Sequence, residues 1–294
     1  MILNKRIPFT YWFHKVKWDL LYVALFSTAL SYFKELVDLW DVPVTIGANL
    51  GTAITLLLSF KLAQSYDRWW EARKIWGAIV NDSRSLVMQI KNFIPTENIN
   101  IVKTIGHRQV AWCYALTNYL RGLDPLENIE PYVSEMEFDM LKGRSHIPLE
   151  ILDFHTGDVI ALQRSKQLND YQQVQIDDTI VRLTASMGKA ERIKNTVFPT
   201  TYRVVLHLFI YIFLVLLSMS LVDMRHFLEI PLLIAIAIPF FLMEKIAFSI
   251  QDPFENRPTD TNMSSISRAI ERNIKELLEE EMPEPITSDT YYVM

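Results

Sequence analysis

Glycine is scarce and cysteine nearly missing: eight and one, respectively, among 294 residues. The lone Cys113 excludes an intramolecular disulfide and a zinc site built on cysteines, and leaves a small buried apolar side chain as its plain reading. Scarce glycine beside long periodic runs argues for a mostly helical chain. No glycine-rich phosphate loop, HExxH or GxSxG occurs, so no motif indicates an enzyme. The six histidines, at 14, 107, 146, 155, 207 and 226, are scattered without ligand spacing, so neither a metal nor a cofactor is expected. An excess of positive charge is also missing. The net charge of −5 gives no electrostatic case for nucleic acid.

Punctuation is absent where it would matter most. No proline occurs between 44 and 94 and no glycine between 52 and 76, although NLGTAITLLLSF (49–60) is almost wholly apolar and SYDRWWEARKIWGAIVNDSR (65–84) is charged and aromatic. One helix is therefore expected to leave an apolar solvent and enter water without a break. Its Trp69 and Trp70 fall at the boundary, where indole rings are favoured, and Arg68, Arg73 and Lys74 follow on the aqueous side.

What is present in abundance is apolar length. A bilayer core takes about 20 mostly apolar residues. Residues 204–222 and 227–250 meet that, joined by DMRH (223–226) as a helical hairpin. Residues 18–33 are shorter, flanked by Trp18, Tyr22 and Tyr32, and residues 43–64 mix Thr, Asn, Ser and Gly into a fourth run. Such a mixture suits a helix that faces other helices or water. His207, inside the third run, needs a polar partner on another helix. Lys5, Arg6, Lys15 and Lys17 precede the first run with no acid among them, the 34–42 connection carries one Lys and three acids, and bases return after the second run. The positive-inside rule then puts both termini in the cytoplasm of a four-span protein without a cleaved leader.

Four segments follow: 1–64 with the first two spans, 65–203 as a helical cytoplasmic insert, 204–250 with the third and fourth spans, and 251–294 as a loop, an amphipathic helix and a tail. In the insert, Ile79, Ser83, Leu86, Ile90 and Phe93 recur at steps of three and four, as do Met263, Ile266, Ile270, Ile274 and Leu277 near the end. Gly122 is expected to cap the helix over 101–122, and Asp260 or Thr261 to cap the last one. A break is expected near Gly157, and a break or a curve at Gly188.

One stripe on the second span bears on function. Thr52, Leu56 and Phe60 lie four residues apart on one face. If several copies meet around an axis, they form stacked rings and a hydrophobic constriction that gates by dewetting. A packing face inside a helix bundle accounts for the same stripe, and a basic collar without any conduit for the charges below it.

At these residues the chain resembles the bestrophin family, in its bacterial branch. The resemblance rests on S-Y-x-R-W-W-E-A-R-x-x-W-G at 65–77 with SR at 83–84, on DPFENRPTDT at 252–261, and on NTVFPTTY at 195–202. It implies an all-α homopentameric ion channel of the bacterial inner membrane, surrounded by lipids, with one axial pore whose neck is Thr52, Leu56 and Phe60. Family necks are usually apolar in all three layers, and Thr52 departs from that. A second constriction is implied near 168–172, with Tyr171 the candidate. Asp252, Pro253, Phe254, Glu255, Asn256 and Arg257 are implied to clasp the neighbouring subunit. Animal members bind calcium after the fourth span, but acids only at 252, 255 and 260 are too few for such a site here. The permeant ion implied is an anion such as chloride, with a monovalent cation channel of the same build as the alternative. A membrane-anchored scaffold without conductance is the reading from another class, and a transporter comes last because no internal repeat and no broken span is visible.

Overall fold

A computed structural model of the chain describes residues 8–36, 42–95, 98–196, 199–221, 226–286 and 292. Lys5 and Arg6, residues 37–41 of the first connection, 223–225 of DMRH, 197–198 of NTVFPTTY and 287–291 of the tail lie outside the described residues. The regular elements are helices: α1 (Phe9–Leu36), α2 (Val44–Phe93), α3 (Ile99–Arg121), α4 (Glu135–Leu141), α5 (Ile147–Arg164), α6 (Asp170–Asn195), α7 (Thr200–Ser220), α8 (His226–Gln251) and α9 (Met263–Leu277), with a 3₁₀ turn at Glu130–Tyr132. The unpunctuated interval is thus a single 50-residue helix. It contributes to two compact units, one made of Lys5–Arg68 and Val197–Asp252, the other of Trp69–Thr196 and Pro253–Met294.

In the first unit α1, α7 and α8 pack on one another, and α2 adds Ile54 and Leu58 to a core with Val16, Val23, Leu206, Ile210, Leu214, Leu233 and Phe241. Gly51 permits that contact. A Cβ there would lie 2.9 Å from the Phe213 ring. Three helices among the described residues are long and apolar enough to cross a membrane: α2, α7 and, in α8, Leu228–Gln251. The apolar run at 18–33 does not join them. It sits within a longer helix that starts at Phe9 and carries His14, Lys15, Lys17 and Asp19. Pro231 and Pro239 lie inside α8 without ending it, as spans tolerate when neighbouring groups satisfy the freed carbonyls.

The second unit is built around α3, which packs against α5, α6, α9 and the 3₁₀ turn. The expected face of α2 is its wall: Ile79, Ser83, Leu86 and Ile90 are all fully buried. So are Met263, Ile270 and Ile274 of α9. Gly122 ends α3 with φ of 71°, its N–H on the Tyr119 carbonyl and the next N–H on that of Asn118, the left-handed stop that glycine favours. Two expectations fail here. α5 runs unbroken through Gly157, and at Gly188, where a break or a curve is expected, α6 is not broken, because a helical glycine costs only about 1 kcal/mol and the buried faces of both helices outweigh it. α9 is preceded by Asn262 with no side-chain cap. Asp260 closes a turn instead, its Oδ2 accepting the Arg257 N–H at 3.0 Å.

Candidate functional site

The stripe on α2 is exposed in the single chain. Leu56 is 56 % and Phe60 65 % exposed, and Thr52 is exposed with them. The opposite face holds Ile54, Leu58, Lys61 and Ser65, all buried. The hydroxyls on this part of the helix are already satisfied: Thr52, Thr55 and Ser59 donate to the carbonyls of Ala48, Gly51 and Thr55 at 2.8–2.9 Å. Such back-bonding removes their polarity from the surface. Thr52 therefore departs from an apolar layer less than its name suggests. Thr52 and Leu56 also border an apolar groove of about 440 Å³ shared with Phe213 and Leu217 of α7 and Ile236 and Phe240 of α8. Phe60 lies outside it.

The charges that follow are sorted by sign. Lys61 turns inward, donating to Gln251 Oε1 at 2.5 Å with Nζ 4.8 Å from the Phe248 ring centre. Arg68 pairs with Asp252 at 3.5 Å. Asp67, between them in sequence, is exposed. In the second unit, Trp69 stacks on Trp70 and donates its indole N–H to the Thr259 carbonyl at 3.1 Å, while half-buried Glu71 pairs with exposed Lys74 at 2.6 Å.

His207 has the partners it needed. Its Nδ1 lies 3.0 Å from both oxygens of buried Glu244 on α8, and its Nε2 3.5 Å from Asp19 on α1. Lys245 reaches the other Asp19 oxygen at 3.2 Å. Ser218 donates to Glu229 at 2.5 Å, the second buried carboxylate of α8. Sequence reasoning named neither pair, although both leave a signal. Residues 207 and 244, like 218 and 229, are nearly equidistant from the 223–226 connection, so an antiparallel hairpin sets them face to face. Nothing in the sequence places Asp19 there.

Tyr171 opens α6 at 88 % exposure, and Val174 and Val181 continue an exposed apolar line on that helix that sequence reasoning missed. In the 252–257 segment, Phe254 and Pro253 are buried, and Phe254 joins the core of the second unit. Glu255, Asn256 and Arg257 remain outward. Lys194 donates to Glu255 at 2.7 Å and, as the leading cause, holds that carboxyl below its usual range. Burial pushes Asp260 up to about 6. Among the described residues no group of three His, Cys, Asp or Glu side chains is placed to hold a metal ion.

Residues 12–276 match the family described as Bacterial/Fungal Bestrophin protein. Among curated relatives, a protein of Escherichia coli named voltage-dependent anion channel-forming protein YneE is 28 % identical over 282 residues, 95 % of this chain and 92 % of that one. A voltage-dependent anion channel-forming protein of Nostoc is 28 % identical over 260 residues, 86 % and 84 % of the two chains. The crystal structure of a bacterial Bestrophin homolog from Klebsiella pneumoniae superposes with a TM-score of 0.84 at 26 % identity, covering 90 % of this chain and 99 % of that one.

Proposed function

The chain belongs to the bacterial and fungal bestrophin family, and from that membership we propose that it is one subunit of a membrane ion channel that conducts anions, chloride foremost, passively through a ring of identical copies. Five copies around one axis is the arrangement we favour, set in the bacterial inner membrane with both termini cytoplasmic. The four spans would be α1, the part of α2 up to residue 64, α7 and α8. Residues 65–203 and 251–294 would form the cytoplasmic part.

One observation carries this reading: large apolar side chains stand exposed at Leu56 and Phe60, four residues apart on one face of α2 whose hydroxyls are already spent, opposite the buried Ile54 and Leu58. A surface of that kind seeks a partner or encloses a path. Closed rings are the natural product of identical subunits, and rings of apolar side chains make gates that open by wetting. The names of the two curated relatives support anions as the permeant class. Tyr171, exposed on α6, would make the second constriction, and outward Glu255, Asn256 and Arg257 the part of the 252–257 clasp that reaches a neighbour.

Purified protein in planar bilayers tests the proposal. Leu56→Ala and Phe60→Ala should each raise open probability, because a wider and less apolar ring holds water more readily. Absence of unitary current in every salt, together with a monomeric mass in detergent, would overturn it in favour of a membrane-anchored scaffold.

A further inference from the structure

The exposed stripe of α2 does not stop at Phe60. Steps of three and four lead on to Ala63 and Asp67, both exposed. Seven residues are almost two full turns, so Asp67 falls nearly in line with Phe60, about 10 Å further along the helix. The basic side chains on either side of it leave this face. Lys61 is fully buried on Gln251, and Arg68 is held by Asp252. Asp67 has no ion pair or hydrogen bond among the described residues, and Glu71 in the following turn is matched by Lys74. The first uncompensated charge after the apolar layers is therefore negative, on a chain whose relatives are named for anions.

Resting on the proposal that copies of α2 meet around an axis, we infer that Asp67 is a selectivity-determining residue: repeated once per subunit, it forms a carboxylate ring below the neck that draws cations and opposes anions. Rings of acidic side chains bias pores this way, while the apolar layers above discriminate little by sign. The conduit then admits monovalent cations more readily than an uncharged lower mouth would, and the anion preference is set against Asp67, not by it.

Reversal potentials in asymmetric NaCl decide the matter. Asp67→Asn should shift the reversal potential toward the chloride equilibrium value, with the chloride-to-sodium permeability ratio rising at least about twofold, the Coulomb effect of one unit charge at about 8 Å in water. Asp67→Lys should move it further, and Asp67→Glu should match the wild type. Glu71→Gln, one turn further along the same face but matched by Lys74, should shift it less than Asp67→Asn does. The difference between Asp67→Asn and wild type should shrink from 0.1 M to 1 M salt, as the screening length falls from about 10 to about 3 Å. An unchanged reversal potential in Asp67→Asn while unitary currents persist would overturn the inference and leave the channel intact. An equal shift in Glu71→Gln would overturn it too. Absence of current in the wild type would instead bring down the pore itself.

Discussion

The two units handle buried polarity in opposite ways. In the first, ionisable side chains inside the apolar packing are few and tied to one another across helices: His207 with Glu244 and Asp19, Lys245 with Asp19, Glu229 with Ser218. Large apolar side chains face outward, including Trp18, Leu25, Val204 and Leu208. In the second, dense charged clusters are sealed within a conventional core. Glu271, fully buried, takes Tyr114, Tyr132, Arg268 and Lys275, and Arg108 bridges Glu137 of α4 and Asp158 of α5. The same chain thus follows two solvation rules. Where the surroundings are hydrocarbon, outward surface is apolar and every polar group needs an internal partner. Where they are water, charge can be exposed freely, and burying it requires compensation from several sides.

The largest effect expected from breaking this contrast lies in the second unit. Arg108→Leu leaves Glu137, which is buried, without its guanidinium, and removes the link from α3 to α4 and α5. Removing one partner of a buried pair costs about 3 kcal/mol or more. Thermal unfolding in detergent should show that as a lower melting point with the helical content of the remaining native protein unchanged. A loss under about 1 kcal/mol would mean the cluster is wetter than its burial suggests.

Next in size is a pH effect with the same address. His155 on α5 is fully buried, and neither ring nitrogen has a hydrogen-bond partner among the described residues. Burial first, and then the neighbouring charge of Arg108, hold it well below the usual imidazole range. In the unfolded chain it binds a proton near pH 6.5; in the folded chain it stays neutral. Stability is therefore full above about pH 6.5 and falls as the pH drops, because only the unfolded state gains the proton. The slope from this one group approaches about 1.4 kcal/mol per pH unit. His155→Leu should flatten the profile between pH 6.5 and 5 and raise the melting point at pH 5.5. An unaltered acid limb would show that other groups set it.

How much of this could be read from residues alone follows the range of the interaction. Local periodicity was enough for the buried faces of α2 and α9 and for the glycine stop of α3, since each is decided within a turn or two. It also carried the exposed stripe of Thr52, Leu56 and Phe60 to a single helix face, although their place at a neck belongs to the proposal. Periodicity misjudged Gly157, where packing over a whole helix outweighs one weak residue, and it chose Asp260 or Thr261 as a cap although Asp260 is engaged in its own turn. Arg108, Glu137 and Asp158 come together from three elements separated by 21 to 50 positions, and no spacing rule reaches that far. The outward Val174 and Val181 were passed over because an apolar residue on a helix is ordinarily assigned to the core.

The smallest effect expected sharpens the comparison from the other side. His207→Leu removes the imidazole that joins α7 to α8 and α1 while keeping an apolar side chain of similar bulk. Glu244 and Asp19 lose a partner, yet Asp19 keeps Lys245 at 3.2 Å. In a bilayer the separated helices also find alternative partners for their polar groups, so interhelical hydrogen bonds average only about 0.6 kcal/mol and reach about 2 at most. The expected loss is therefore about 1 kcal/mol, well short of Arg108→Leu, when both are unfolded in the same detergent. A larger loss in His207→Leu than in Arg108→Leu would reverse the ranking. It would mean that the three-helix carboxylate–imidazole cluster, not the charged core around α3, holds the more costly polarity in this chain.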